Sequence, residues 1–251
     1  MEKMIYAILS VMNNPEKLNV LLSEMKSLSD VDLYPVSCGE IVAVVSDIKR
    51  ADLIADRSNA IEYAGVIETL AQKFTLLPVR FGSVMESTDA IIKMLERNFN
   101  EIQRNLQKVE NNFEFGLKIF CESEKLLAEL KAKSEAGAET PTRPAPEKTN
   151  SVYREYVNVK LKEHRLEELM LAYVDSVIAE ITGCLAHLNA ISKFKKMATP
   201  TNVIDAIFLL EKDKKDELIQ AVERLQNQYP VLNFVLTGPW PPYNFVDFAV
   251  K

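Results

Sequence analysis

"LYPVSCGEIVAVVSDI", residues 33–48, decides the fold. Leu33–Cys38 and Glu40–Ile48 are two short runs of strand formers on either side of Gly39. Such a pair around a turn residue predicts a β-hairpin. Toward the N-terminus, "MIYAILSVM" (Met4–Met12) is short and apolar and predicts a buried strand. "NNPEKL" follows, with Asn14 as N-cap, Pro15 at the first helical position and Glu16 in the first turn. Leu18, Leu21, Leu22, Met25 and Leu28 then keep helical spacing, which predicts an amphipathic helix of about four turns. Beyond the hairpin, a helix is expected within Asp52–Phe74, with Leu53, Ile61, Ala64, Ile67, Leu70 and Phe74 on one face. "LLPVRFGSVM" (Leu76–Met85) reads as the fourth strand, and Pro78 within it implies an edge or a bulge. The succession strand, helix, strand, strand, helix, strand is the split βαβ, or ferredoxin-like, pattern. Two helices on one face of a four-stranded antiparallel sheet would give residues 1–86 a core of their own.

The rest of the chain predicts a second α+β unit with longer helices and a short sheet. Residues 87–135 are assigned to it. Ser87 can cap a helix that keeps Ile91, Ile92, Leu95, Phe99, Ile102, Leu106 and Val109 in phase. In Asn112–Phe120, Phe113, Phe115, Leu117 and Ile119 alternate onto one strand face. A short charged helix is expected at Glu122–Glu135. Residues 136–150, "AGAETPTRPAPEKTN", read as a proline-rich linker. Residues 151–237 form the C-terminal α+β domain. A helical pattern from Val152 to Lys196 would measure about 65 Å if unbroken, so a break is expected near Lys162–Arg165 or at Gly183. A strand at Asn202–Leu210, a helix capped by Asp213 and a strand at Val231–Thr237 complete it. Residues 238–251 are expected to be a tail packed across the domains.

Composition narrows the function. The chain has 251 residues and a formal net charge of −6, with no basic block. That disfavours nucleic acid, whose affinity comes largely from phosphate neutralisation. The aromatic-free "EIVAVVSDI" also lacks the base-stacking residues of an RNA-recognition module. Cys38, Cys121 and Cys184 lie far apart and suggest no disulfide framework, which suits a reducing cytosol. The N-terminal run lacks signal-peptide grammar, and no stretch approaches the roughly 18 apolar residues of a membrane span. A soluble intracellular protein, without a lipid-membrane partner, is expected. The pattern carries no oligomeric state.

Catalytic chemistry is hard to build from these residues. Cys184 and His187 share a helical face but lack further metal ligands at useful spacing. Neither a nucleophile elbow, a phosphate loop nor a dinucleotide fingerprint occurs. Cys38 has no neighbour that would lower its pKa. The reading is a non-enzyme without catalytic residues, cofactor or metal.

Two segments stand out. In "LLPVRFGSV", Arg80 and Phe81 lie among apolar residues, with Gly82 supplying a turn. Arg80 is either a surface arginine whose stem covers its neighbours or a guanidinium held against carboxylates or carbonyls to dock a loop or domain. "TGPWPPYNFV", residues 237–246, carries Trp240, Tyr243 and Phe245 between prolines. Gly238 would turn the chain sharply out of the last strand, and Pro239, Pro241 and Pro242 would hold an extended polyproline-like path. This tail is either an internal clamp or a partner anchor, since aromatics and arginine dominate interface hot spots.

"LLPVRFGSVMES" and "LTGPWPPYNFV", with "YAIL", "IVAVVSD", "FEFGLKIF" and "IDAIFLL" between and around them, resemble the hallmark segments of the gas vesicle GvpF/GvpL family. The likeness covers nearly the whole chain and does not separate GvpF from GvpL. It implies a fold of two α+β domains, the first ferredoxin-like. It also implies a cytoplasmic, gas vesicle-associated accessory or minor structural protein. The implied partners are the small hydrophobic shell protein GvpA and other accessory proteins, and no catalytic residue is carried over. The competing expectation is a small-molecule-responsive regulator with a ligand pocket in its ferredoxin-like domain, which rests on fold analogy.

Overall fold

The computed structural model describes residues 1–11, 15–26, 30–49, 53–54, 56–121, 126, 151–196 and 201–246, of which 151–167 by backbone alone. The predicted cap Asn14, the Leu28 position, the helix start at Asp52, the helix Glu122–Glu135 apart from Leu126, and the linker 136–150 lie outside the described residues. The chain divides into two compact units, Met1–Phe115 with Leu209–Lys212 and Gly238–Lys251, and Gly116–Phe208 with Asp213–Thr237.

The first unit is built on the hairpin. β2 (Leu33–Cys38) and β3 (Ile41–Ile48) pair antiparallel, from Leu33 opposite Ser46 to Cys38 opposite Ile41. Gly39 takes the turn at φ +61°, a left-handed conformation that suits glycine. β1 (Glu2–Ser10) pairs antiparallel with β3 on one side. On its other side it meets β4 (Leu76–Pro78) and β5 (Val84–Met85). The order β2-β3-β1-β4 is that of the split βαβ pattern. Pro78 sits on an edge strand, as its missing N–H requires. The predicted fourth strand is two pieces, because the turn at Arg80–Ser83 interrupts the ladder with Gly82 at φ +82°.

Both faces of this sheet are covered. α1 (Pro15–Glu24) and α2 (Arg57–Ala71) bury Leu18, Leu22, Tyr63, Val66, Ile67 and Leu70 against Met4, Tyr6, Leu9, Val42 and Val44. The alternate residues Ile5, Ile8, Ile41, Ala43 and Val45 are equally buried on the opposite side. There α3 (Thr88–Arg97) packs on β2, and α4 (Phe99–Val109) on β4 and β1. A strand with six consecutive buried residues, Ile41–Ser46, is the mark of a sheet covered twice. So α3 and α4 complete the first unit, whereas the sequence pattern assigned 87–135 to the second.

Several boundaries differ for local reasons. α1 runs for 10 residues, shorter than four turns. Asp56 caps α2 by accepting from Asn59 N–H at 2.8 Å. Ile61, expected on the apolar face, is 61 % exposed, and Tyr63 is buried instead. Ser87 does cap α3, accepting from Ala90 N–H at 3.2 Å. The single helix expected beyond it is two, because the Asn98 side chain donates to Met94 O at 2.7 Å and its backbone leaves the helical region.

In the second unit the sheet order is β7-β8-β6-β9. These strands are β6 (Asn112–Cys121), β7 (Ile191–Lys196), β8 (Asn202–Glu211) and β9 (Leu232–Trp240), whose last residues beyond Thr237 count with the first unit. α5 (Ser151–Leu185) and α6 (Lys215–Gln228) supply Val174, Val177, Ile181, Leu185, Leu218, Val222 and Leu225 to its core. The expected break at Lys162–Arg165 or Gly183 is absent. The helix ends at Leu185 in a short 3-10 turn, Ala186–Leu188, with Asn189 at φ +53°. Ile191–Lys196, expected as helix, is therefore a strand. Asp213 does not cap α6, since Lys214 stands at the N-cap, with no side-chain capping bond.

One exclusion needs correction. Glu168–Leu188 is long enough and, at a mean hydropathy of 1.6, apolar enough to cross a membrane by length and composition. Its buried residues Val174, Val177, Ile181, Leu185 and Leu188 nevertheless recur every three or four positions, the stripe of a helix packed on a core.

Candidate functional site

The two singled-out segments meet within the first unit. Beyond β4, Val79 N–H donates to Tyr6 O at 3.0 Å, and Ser83 N–H closes the turn on Arg80 O at 3.1 Å. The turn is pinned from below by Tyr63. Its hydroxyl reaches Val79 O at 2.8 Å and Ile5 O at 2.9 Å, sharing one hydrogen between them. Tyr63 stacks on Tyr6 with centroids 4.9 Å apart and receives Phe81 edge-on at 5.1 Å. Burial pushes the Tyr63 phenol far above its ordinary value, so it is a permanent neutral donor here. Phe81 thus faces the core, while the Arg80 side chain is exposed.

The tail does not follow a polyproline-like path out of the sheet. β9 continues through Gly238, Pro239 and Trp240, with the Gly238–Pro239 peptide cis. Gly238 lies at φ +110°, and a Cβ there would stand 2.8 Å from Glu114 O, so glycine is required twice over. Pro241 and Pro242 are buried, and Tyr243 N–H donates to Pro241 O at 2.7 Å to form a tight turn. Phe245 is fully buried.

A carboxylate holds this turn. Glu114, on β6, is 4 % exposed, and it accepts from Asn244 N–H at 2.7 Å and from Asn244 Nδ2 at 2.5 Å. Two donors on one charged acceptor make a strong, directional clasp. No signal in "NFEFGLKIF" marks Glu114: it falls on the strand face opposite Phe113 and Phe115, where alternation predicts solvent. Tyr63 falls outside the apolar face of Leu53, Ile61, Ala64, Ile67, Leu70 and Phe74 that the spacing predicts.

Between the two segments lies a depression of about 320 Å³, lined by Pro78, Val79, Arg80, Tyr243 and Val246. Of the five singled-out residues the structure brings Arg80 and Tyr243 to this depression. Phe81 and Phe245 point into the core. Trp240 is 40 % exposed and lines a different part of the surface. Partial desolvation, then the Glu68 and Glu114 carboxylates, push the Tyr243 phenol up to about 12, so it stays a neutral hydroxyl. A guanidinium and a phenol beside proline and valine can hold an acidic or carbonyl-rich apolar segment.

Other chemistry is sparse. Among the described residues no group of three or more His, Cys, Asp and Glu could hold a metal. His187 lies 3.6 Å from Glu217 across exposed surface.

Comparison with known proteins agrees with this architecture. The family model described as gas vesicle synthesis protein GvpL/GvpF matches residues 3–247. Gas vesicle protein F1 of Halobacterium salinarum is 22 % identical over 221 residues, 87 % of this chain and 83 % of that protein. Gas vesicle protein L of a Streptomyces species is 22 % identical over 210 residues, 80 % of this chain and 73 % of its own. Crystal structures of GvpF from Anabaena and from Microcystis aeruginosa share the fold. The first superposes with a TM-score of 0.78 at 20 % identity over 99 % of both chains. The second has a TM-score of 0.76 at 19 % identity over 98 % of this chain and 99 % of its own. With a match from the third residue almost to the end of the chain, this protein belongs to the gas vesicle GvpL/GvpF family.

Proposed function

We propose that this chain is a gas vesicle accessory or minor structural protein. In this reading it works in the cytoplasm without catalysing a reaction, binding the shell protein GvpA and other accessory proteins during vesicle assembly. Family membership supports a gas vesicle role. The observation that carries a binding role is the depression between Arg80 and Tyr243. Its lining is displayed at the surface, the Tyr243 side set by the Glu114–Asn244 clasp and the Arg80 side by the Tyr63 hydroxyl on Val79 O.

The test is association of the purified chain with GvpA and co-accessory proteins, and of its Arg80→Ala and Tyr243→Ala variants. Binding by the wild type is expected, weakened about tenfold or more in the variants, as for interface hot spots. A wild type that associates with none of them, and normal vesicles after deletion of its gene, would sink the reading.

A regulatory ligand reading retains one supporting feature, a cavity of about 390 Å³ lined by Lys17, Glu40, Lys73, Gln103 and Leu106 among others. That size suits a small molecule. Screening small molecules by thermal shift decides: a specific rise of several degrees, abolished by Gln103→Ala, would favour it.

A further inference from the structure

The cavity of about 390 Å³ lies wholly within the first unit, at the end of its sheet where β1 stops and β3 and β4 begin. Val11 N–H donates to Glu40 O at 3.0 Å and ties the end of β1 to the start of β3. α4 turns Gln103, Leu106 and Gln107 toward the cavity, residues whose three-four spacing puts them on one side of a helix. Lys17 reaches it from α1, and Lys73 from the turn that follows α2.

Three kinds of surface meet there. Ile41 and Leu106 are buried and Phe74 is partly buried, which makes one wall apolar. The Glu40 carboxylate is held in place, because Gln103 Nε2 donates to its Oε1 at 2.7 Å. Its Oε2 has no hydrogen-bond partner among the described residues. Lys17 and Lys73 are exposed cations, and neither pairs with a carboxylate among the described residues. Together with Glu110, the charged lining balances two cations against two anions.

We propose that this cavity binds a small zwitterion with an apolar body, of the class of the apolar α-amino acids. The ligand's carboxylate lies between Lys17 and Lys73, its ammonium donates to the open oxygen of Glu40, and its side chain covers the apolar wall. Charge-assisted hydrogen bonds orient it, and apolar burial adds to the affinity. A phosphate suits the lysines but meets two carboxylates. A divalent cation suits the carboxylates but meets two lysines. A zwitterion satisfies both signs at once. The proposal rests on the regulatory ligand reading and is independent of the Arg80–Tyr243 surface.

The test is an amide-resolved NMR titration of the full chain with L-leucine. The controls are leucinamide, which lacks the carboxylate, and N-acetyl-leucine, which lacks the ammonium. Saturable shifts are expected at Val11, Glu40, Ile41, Phe74 and Thr75 with leucine, and each control should bind severalfold more weakly. The double variant Lys17→Gln, Lys73→Gln should remove the difference between leucine and leucinamide, and Glu40→Gln the difference between leucine and N-acetyl-leucine. Loss of fold alone would not produce that pairing of variant with control. Should Glu40→Gln fail to fold, the exposed lysine pair still decides. The proposal is overturned if these amides do not respond to leucine, or if all three compounds act alike. A screened compound without zwitterionic character that shifts the same amides, where leucine does not, would overturn the zwitterion and leave the ligand reading standing. Amides silent to every compound screened would sink both.

Discussion

Glu114 and Gly238 are the residues on which the tail depends. Replacing Glu114 by Gln leaves one oxygen for two Asn244 donors and buries an extra NH₂. The loss should be about 1–3 kcal/mol, read from chemical denaturation. Gly238→Ala meets both a φ of +110° and the Glu114 carbonyl at 2.8 Å. It should cost at least about 1–3 kcal/mol, as a strained left-handed residue does. An alanine variant as stable as the wild type would mean that the tail can be rebuilt without its turn. At the far end of the first sheet, the Lys3 ammonium, with help from the Tyr34 phenol, holds Asp47 below the usual carboxylate value. A depressed folded pKa contributes stability that is present above the unfolded value, about 3.9, and is lost as pH falls through the folded one. Asp47→Asn should therefore lower the melting temperature at pH 7 and converge with the wild type in strong acid. A difference that persists unchanged at low pH would assign the effect to packing.

At the scale of elements, the sequence read well where one residue's chemistry settles a boundary. Gly39 placed the hairpin turn, Pro78 placed an edge strand, and Ser87 opened α3. Ser87→Ala should cost about 1 kcal/mol, the usual worth of such a cap, measured by denaturation; no loss would mean that the first turn is held by packing alone. Reading failed where periodicity was right but continuity was assumed. Ile91–Val109 keep one phase across Asn98, because two helices on the same sheet face need the same stripe. Ile191–Lys196 followed α5 in phase by chance, and a six-residue run cannot tell strand from helix by period alone. The tail's prolines suggested an extended path. The bond pattern that makes Pro241–Phe245 a turn depends on Glu114, more than a hundred residues earlier in the chain.

Across the whole molecule, truncation after Thr237 should destabilise the first unit instead of removing a loose end. It deletes the fully buried Phe245 and leaves the Glu114 carboxylate without its Asn244 donors. A large buried aromatic alone is worth about 3–5 kcal/mol when cut to alanine. A melting temperature unchanged by truncation would return the tail to a purely external role.

The sequence by itself determined the split βαβ order of residues 1–86 and the family. Those depend on local chemistry: turn residues, caps, alternation and two specific motifs. Only the tertiary structure decided that α3 and α4 roof the first sheet, because a strand buried on both faces does not say which helices cover it. It also decided that Arg80 and Tyr243 share one depression while Phe81 and Phe245 turn inward. Side-chain direction at a turn is set by what lies beneath, here Tyr63 and Glu114, and those partners come from distant parts of the chain.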